Sequence, residues 1–418
     1  MHTEQLDEGL FRTVAANGLV VLSEFLPSVR SLAAGVWVRS ASAHEPREQM
    51  GVSHLLEHLV FKGTERRTAH ELALALEERG GSLDAWTGRD ATSFQAHVLD
   101  EDLPLAVEVL TDLVRRPLLR AADLELERQV VLEEIGGVQD TPDDLVFELH
   151  AQALWPTHPL GYSILGTPET VRALDIDQLR ARHAEAYYPG NCVVAAAGNV
   201  QHGRLLELLE ADGWFEGSRR PAMPSVEPRA AVRGLRVDEV RDTTQAHVVL
   251  GTDTFRLRDP RRHALTILVN ALGGGMSSRL FQKVREELGL AYAVYAFRHF
   301  YHSTGQFGVY VGAQPGSADA ALAAIFGELD RVASEGLPAT ELESGRRQLK
   351  GQVVLSLESP TARMGRLAGT ALHGEPFRPL GRVLDDIDAV TSDLAAAVAA
   401  EFLAPARQTV QWLGPRAA

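Results

Sequence analysis

The stretch of this chain best equipped for chemistry is His54-Leu55-Leu56-Glu57-His58. In a helix, residues four apart lie one above the other on the same face, one turn apart. Two neutral imidazole nitrogens so placed can grip a divalent metal ion. Glu57 precedes the second histidine and reaches into nearly the same space, where a carboxylate can take a proton from water activated by the metal. The order H-x-x-E-H reverses the commoner H-E-x-x-H zinc signature. The bland alternative is two surface histidines and a solvated glutamate on one amphipathic helix.

A hydrolytic zinc site takes three protein ligands and leaves one position open for water. The densest set of candidates for the third is Glu125, Glu127, Glu133 and Glu134, on a helix expected over 121–138. Glu127 and Glu134 are two turns apart and share a face. Glu133 lies about 100° round from Glu134. Spacing narrows the choice to a face without picking its member; Glu125 and Glu133 read as solvated charges.

Helical and extended patterning must position these groups. The motif helix, 51–61, turns Leu55, Leu56, Leu59 and Val60 toward a core. Strands are expected at 18–22, 31–39, 82–87, 91–99 and 191–198, and helices at 69–79, 102–115, 121–138, 142–153 and 201–210. Residues 217–234 hold Pro221, Pro224 and Pro228, fit neither a helix interior nor a central strand, and read as a linker. The second half repeats the order of the first. Strands fall at 236–240, 246–251, 291–298 and 305–311, and helices at 260–272, 278–287, 317–334 and 340–357. The expectation is an α+β protein of two duplicated domains, 1–216 and 235–418, each a mostly antiparallel sheet packed with helices. Only the first carries H-x-x-E-H.

Composition bounds the rest. A chain of 418 residues exceeds one ordinary core, and 45% hydrophobic with 23% charged residues is ordinary for a soluble enzyme. The single cysteine, Cys192, excludes an internal disulfide and a cysteine-rich zinc site, and its apolar neighbours make it a core residue. A net charge of −15 disfavours nucleic acid as a partner and suits basic substrates. There is neither a basic start followed by an apolar run nor a stretch of 18 apolar residues. A cytoplasmic location is therefore expected, with no secretory leader and no membrane partner.

The segment from Gly51 to Thr64, with His54, Glu57, His58 and Lys62-Gly63-Thr64, closely resembles the active-site segment of the M16 zinc peptidases. This is the group of pitrilysin, insulin-degrading enzyme and mitochondrial processing peptidase. Glu127-Arg128-Gln129-Val130-Val131-Leu132-Glu133-Glu134 resembles that family's second segment. The resemblance spans essentially the whole chain. It implies Zn²⁺ held by His54, His58 and Glu134, with Glu127 supporting the site from behind and Glu57 as general base. Arg285 and Tyr292, seven apart, resemble a pair that in relatives binds the substrate backbone and helps stabilise the oxyanion. The pair can serve the zinc of its own chain or of a partner copy; without the resemblance, the two residues read as a surface arginine and a core tyrosine.

Asp84-Ala85-Trp86-Thr87 resembles the edge strand that pairs with substrate by β-augmentation, with Asp84 where relatives usually carry Asn. The resemblance thus implies a zinc endopeptidase acting on oligopeptides or unfolded polypeptides inside a chamber, closed by two copies in a homodimer. Two rivals stand beside it. One is a non-catalytic structural subunit of the same fold, which has no chemical reason to keep all of His54, Glu57, His58 and Glu134. The other is a zinc hydrolase of a non-peptide substrate.

Overall fold

The computed structural model describes residues 1–416 except Ser225, Pro228 and Arg229. The three fall within the expected linker and so lie outside the described residues. The first half runs β1 (His2–Asp7), β2 (Leu10–Val14), β3 (Val20–Phe25), β4 (Ser31–Val38), α1 (Val52–Val60), α2 (Ala69–Glu77), β5 (Ser82–Thr87), β6 (Thr92–Leu99), α3 (Leu103–Arg115), α4 (Ala121–Gln139), α5 (Pro142–Leu154), α6 (Pro168–Ala173), α7 (Ile176–Ala186), β7 (Cys192–Gly198) and α8 (His202–Ala211). The second half runs β8 (Arg236–Glu239), β9 (Ala246–Thr254), α9 (Arg262–Gly273), a π-helix (Phe281–Glu287), β10 (Ala291–Phe300), β11 (Gly305–Ala313), α10 (Pro315–Glu335), α11 (Ala339–Ser356), α12 (Pro360–Leu372), α13 (Leu380–Asp388), α14 (Ser392–Phe402) and β12 (Thr409–Leu413).

Two sheets result. The first has the order β1-β2-β3-β7-β4-β6-β5, the second β10-β11-β9-β12-β8. Five strands of the first, taken as β5-β6-β4-β7-β3, match the second strand for strand. In each, three antiparallel pairings are followed by one parallel pair, β3 with β7 and β8 with β12. That shared pattern is the duplication expected from sequence; the first sheet adds the β1-β2 hairpin at one edge. Each sheet is mixed, since one parallel pair interrupts an otherwise antiparallel order.

The chain forms two compact units, Met1–Ile135 with Ser163–Ser225 and Leu355–Pro379, and Gly136–Tyr162 with Val226–Val354 and Leu380–Ala418. They are interleaved along the chain, whereas the sequence suggests contiguous blocks. The reason is packing. In the first unit the main core lies between one face of the sheet and α1, α3 and α7. The opposite face presents Val20, Leu22, Ala33, Trp37, Val193, Ala195 and Ala197, and Met364, Leu367 and Ala368 of α12 cover it. In the second unit α5 does the same, setting Leu145 and Val146 on Val249, Tyr310 and Leu413. With both faces buried, β4 and β7 read as nearly unbroken apolar runs. Cys192 is one of these buried residues and is a free thiol.

Candidate metal centre

Helix α1 is amphipathic in the simplest sense. Val52, Leu55, Leu56, Leu59 and Val60 are buried, and that fixes the rotation of the helix about its axis. His54, Glu57 and His58 are left half-buried on the other side. The two imidazoles lie edge to face, 4.7 Å between ring centres.

Helix α4 brings its glutamates to the same place. Glu134 Oε2 lies 3.7 Å from His54 Nε2, and Glu134 Oε1 lies 3.6 Å from His58 Nε2. One ligand atom from each of the three residues falls within 4.8 Å of the other two. Two ligands about 2.1 Å from a shared ion, at a tetrahedral angle, stand roughly 3.4 Å apart. The two glutamate–imidazole distances, 3.7 and 3.6 Å, therefore suit one small divalent cation. Among the described residues Glu134 Oε2 and His54 Nδ1 are buried without a hydrogen-bond partner, and for the carboxylate oxygen a bound cation would supply what these residues do not. Burial, and then the neighbouring His58, push the His54 imidazole down to about 4. The ring is neutral near pH 7, as a ligand must be.

Glu127 stands behind His58. Its Oε2 lies 3.0 Å from His58 Nδ1 and its Oε1 lies 2.5 Å from Lys62 Nζ, while the residue itself is only 4% exposed. A carboxylate accepting from Nδ1–H fixes the tautomer that leaves Nε2 free to coordinate. Lys62, quoted in the sequence motif without a role, supplies the countercharge for the buried Glu127. Glu133 and Glu125 are exposed, as their angular positions on α4 suggest.

Glu57 is held by the edge strand. Thr87 Oγ1 donates to Glu57 Oε2 at 2.5 Å. Burial pushes the Glu57 carboxyl up; the Thr87 hydroxyl and His58 pull the other way, and Glu134 adds to the rise. Strand β5 alternates exposed and half-buried residues, with Asp84 and Trp86 outward and Ala85 and Thr87 inward. Its single strand neighbour among the described residues is β6, so its outer edge is open to another extended chain.

Arg285 and Tyr292 lie in the second unit, on the π-helix and on β10. The Arg285 guanidinium sits 4.7 Å from the centre of the Tyr292 ring and equally far from Phe281. Tyr292 is 76% exposed, so it is no core tyrosine. Sequence spacing suggests an ordinary helix over 278–287; the wider π turn is found at 281–287 instead.

Residues 20–168 match the family model for insulinase, peptidase family M16, and residues 173–349 match the model for the peptidase M16 inactive domain. The chain is similar to an uncharacterized zinc protease of Streptomyces coelicolor, 40% identical over 410 residues, covering 97% of this chain and 89% of that one. A Bacillus subtilis protein, also named as an uncharacterized zinc protease, is 35% identical over 379 residues, covering 91% and 92%. In fold the chain resembles a protease from Helicobacter pylori, with TM-score 0.90 and 22% identity over 97% of this chain and 99% of that one. It also resembles a structure from Pseudomonas fluorescens described as a peptidase M16 inactive domain, with TM-score 0.90 and 20% identity over 98% of each chain.

Proposed function

The chain belongs to the M16 peptidase family, and on that premise we propose that it is a zinc-dependent endopeptidase of oligopeptides or unfolded polypeptides. The observation that carries the reading is the convergence of two imidazole nitrogens and the Glu134 carboxylate beside the half-buried carboxyl of Glu57. His54, His58 and Glu134 hold Zn²⁺. When bound, the ion supplies Lewis-acid chemistry, lowering the pKa of water and polarising the scissile carbonyl.

The remaining work falls to side chains. Glu127 keeps His58 in the ligating tautomer. Thr87 holds Oε2 of Glu57, so Oε1 is the oxygen that takes the proton from water and returns it to the leaving amine. The open edge of β5, from Asp84 to Thr87, pairs with the substrate backbone; main-chain bonds give affinity with little demand on side chains. Arg285 and Tyr292 bind the backbone near the scissile bond. With both sets in one chain, the working assembly is a homodimer enclosing a chamber. Among the described residues no helix is long and apolar enough to cross a membrane, and the proposed location is cytoplasmic.

The test is incubation with a mixed peptide library, with and without chelator, read by mass spectrometry. Internal cleavage that chelation abolishes and zinc restores is expected. A zinc-loaded protein that cleaves nothing in the library refutes the reading and favours the non-catalytic subunit.

A further inference from the structure

The start of α1 poses a capping problem. A helix leaves its first four N–H groups without internal partners, and Ser, Thr, Asp or Asn at the N-cap ordinarily satisfies one of them. Here the N-cap is Gly51, with φ of +91°. A Cβ at this position would stand 2.5 Å from the Leu165 carbonyl oxygen and 2.9 Å from Gly166 Cα. No capping side chain can occupy the site, so the acceptor must come from elsewhere.

It comes from Glu45, six residues upstream and 2% exposed. Glu45 Oε2 accepts the Gly51 N–H and Oε1 accepts the Ser53 N–H, both at 2.8 Å. On the other side of the same turn, Thr170 Oγ1 donates to the Met50 carbonyl at 2.8 Å. Burial pushes the Glu45 carboxyl up, while its hydrogen bonds to Ser53 and Gly51 and the charge of Arg182, 6% exposed and donating to the His44 carbonyl at 3.3 Å, pull the other way. A negative charge at a helix N-terminus is also favoured by the helix dipole. The residue after Ser53 is His54. The amide that Glu45 holds therefore adjoins the backbone carrying the first imidazole of the metal cluster.

We propose that Glu45 is a positioning residue for the metal centre, fixing the first turn of α1 so that His54 meets His58 and Glu134. The proposal rests on His54 being a metal ligand. The chain needs Glu45 for a geometric reason: contact with the 165–166 loop forces glycine at the N-cap, and glycine brings no acceptor. Groups that orient metal ligands from behind typically govern about 10–100-fold in affinity.

The experiment compares wild type, Glu45→Gln and Glu45→Ala. Zinc affinity is read by competition with a chromophoric chelator well below the melting temperature, and the ligand field by the visible spectrum of the Co²⁺ form. Thermal unfolding of the metal-free protein is the control for a merely structural effect. Glu45→Gln keeps one acceptor and is expected to bind zinc about tenfold more weakly, Glu45→Ala about a hundredfold, both with an altered Co²⁺ spectrum. Should Glu45→Ala fail to fold, the near-isosteric Glu45→Gln carries the test. Wild-type affinity and spectrum in Glu45→Gln, even with a lower melting temperature, overturn the proposal. A wild-type protein that binds no zinc overturns instead the functional reading beneath it.

Discussion

His150 sits on α5, the helix that completes the second unit, and its protonation should set how that unit tolerates acid. The ring is fully buried, with Nε2 3.1 Å from the Thr409 carbonyl and Nδ1 3.1 Å from the Gln306 amide nitrogen. Those partners assign a neutral ring that donates from Nε2 and accepts at Nδ1. A second proton would face the amide N–H and have no water to solvate it. Burial accordingly pushes His150 down to about 4, against the hydrogen bonds to Thr409 and Gly251, which pull it up. The unfolded chain takes the proton near 6.5 and the folded chain only near 4. The contribution to stability is thus complete above pH 6.5 and drains away as pH falls to 4, because the unfolded state binds more protons in that window. Integrated from pH 7 to 4.5, the loss is about 2 kcal/mol, a large share of the 5–15 kcal/mol typical of folded domains. Burial lowers His183 and His202 as well, and carboxylates also titrate on this path, so the whole protein's acid sensitivity is no test. The comparison is with His150→Gln, which can still hydrogen-bond and does not titrate. Urea unfolding followed by tryptophan fluorescence at pH 7 and 4.5 should show the variant losing about 2 kcal/mol less than wild type. Equal losses in the two proteins, within about 0.5 kcal/mol, refute the assignment.

Glu57→Gln should keep zinc content and lower turnover by orders of magnitude, and full activity would remove Glu57 from its role. Glu134→Ala should lower zinc content by elemental analysis; retention of one zinc per chain at wild-type affinity counts against Glu134 as a ligand. Thr87→Val deletes a hydroxyl donor to an ionised carboxylate, an interaction worth about 1.5–3 kcal/mol. The Glu57 carboxyl should rise further, and the acid limb of kcat/KM should move about one to two pH units higher. An unmoved limb means the bond from Thr87 to Glu57 does not matter in the working enzyme.

Local chemistry was the most legible. The H-x-x-E-H run needs only one turn of helix to make sense, and the apolar positions of α1 say which way that turn faces. Glu134 was half legible: its spacing from Glu127 places both on one side of α4, the family resemblance picks Glu134, and the fold turns its two oxygens toward the Nε2 atoms while Glu127 meets His58 at Nδ1. The duplicated strand order was readable from short apolar runs, because a strand buried on both faces is apolar almost throughout. Other features depend on distant partners and left no local trace. The β1-β2 hairpin is short and largely polar, and α6 and α7 lie outside the elements expected from sequence. Beyond residue 357 no periodicity was assigned, and the apolar stripe of α12 has meaning only against a sheet far away in the sequence. Glu45 is the plainest case. A glutamate six residues before a glycine attracts no notice until the loop at 165–166 shows that the glycine cannot be replaced.

The exchange of α5 and α12 has a consequence for synthesis on the ribosome. The last strand of the first sheet, β7, is complete at Gly198, while the helix that roofs its outer side begins at Pro360. At about 5–20 residues per second that interval lasts on the order of ten seconds. Throughout it Trp37 and the valines and alanines around it lack the helix that covers them in the folded chain. Translation stalled anywhere before α12 would leave that sheet face without its cover.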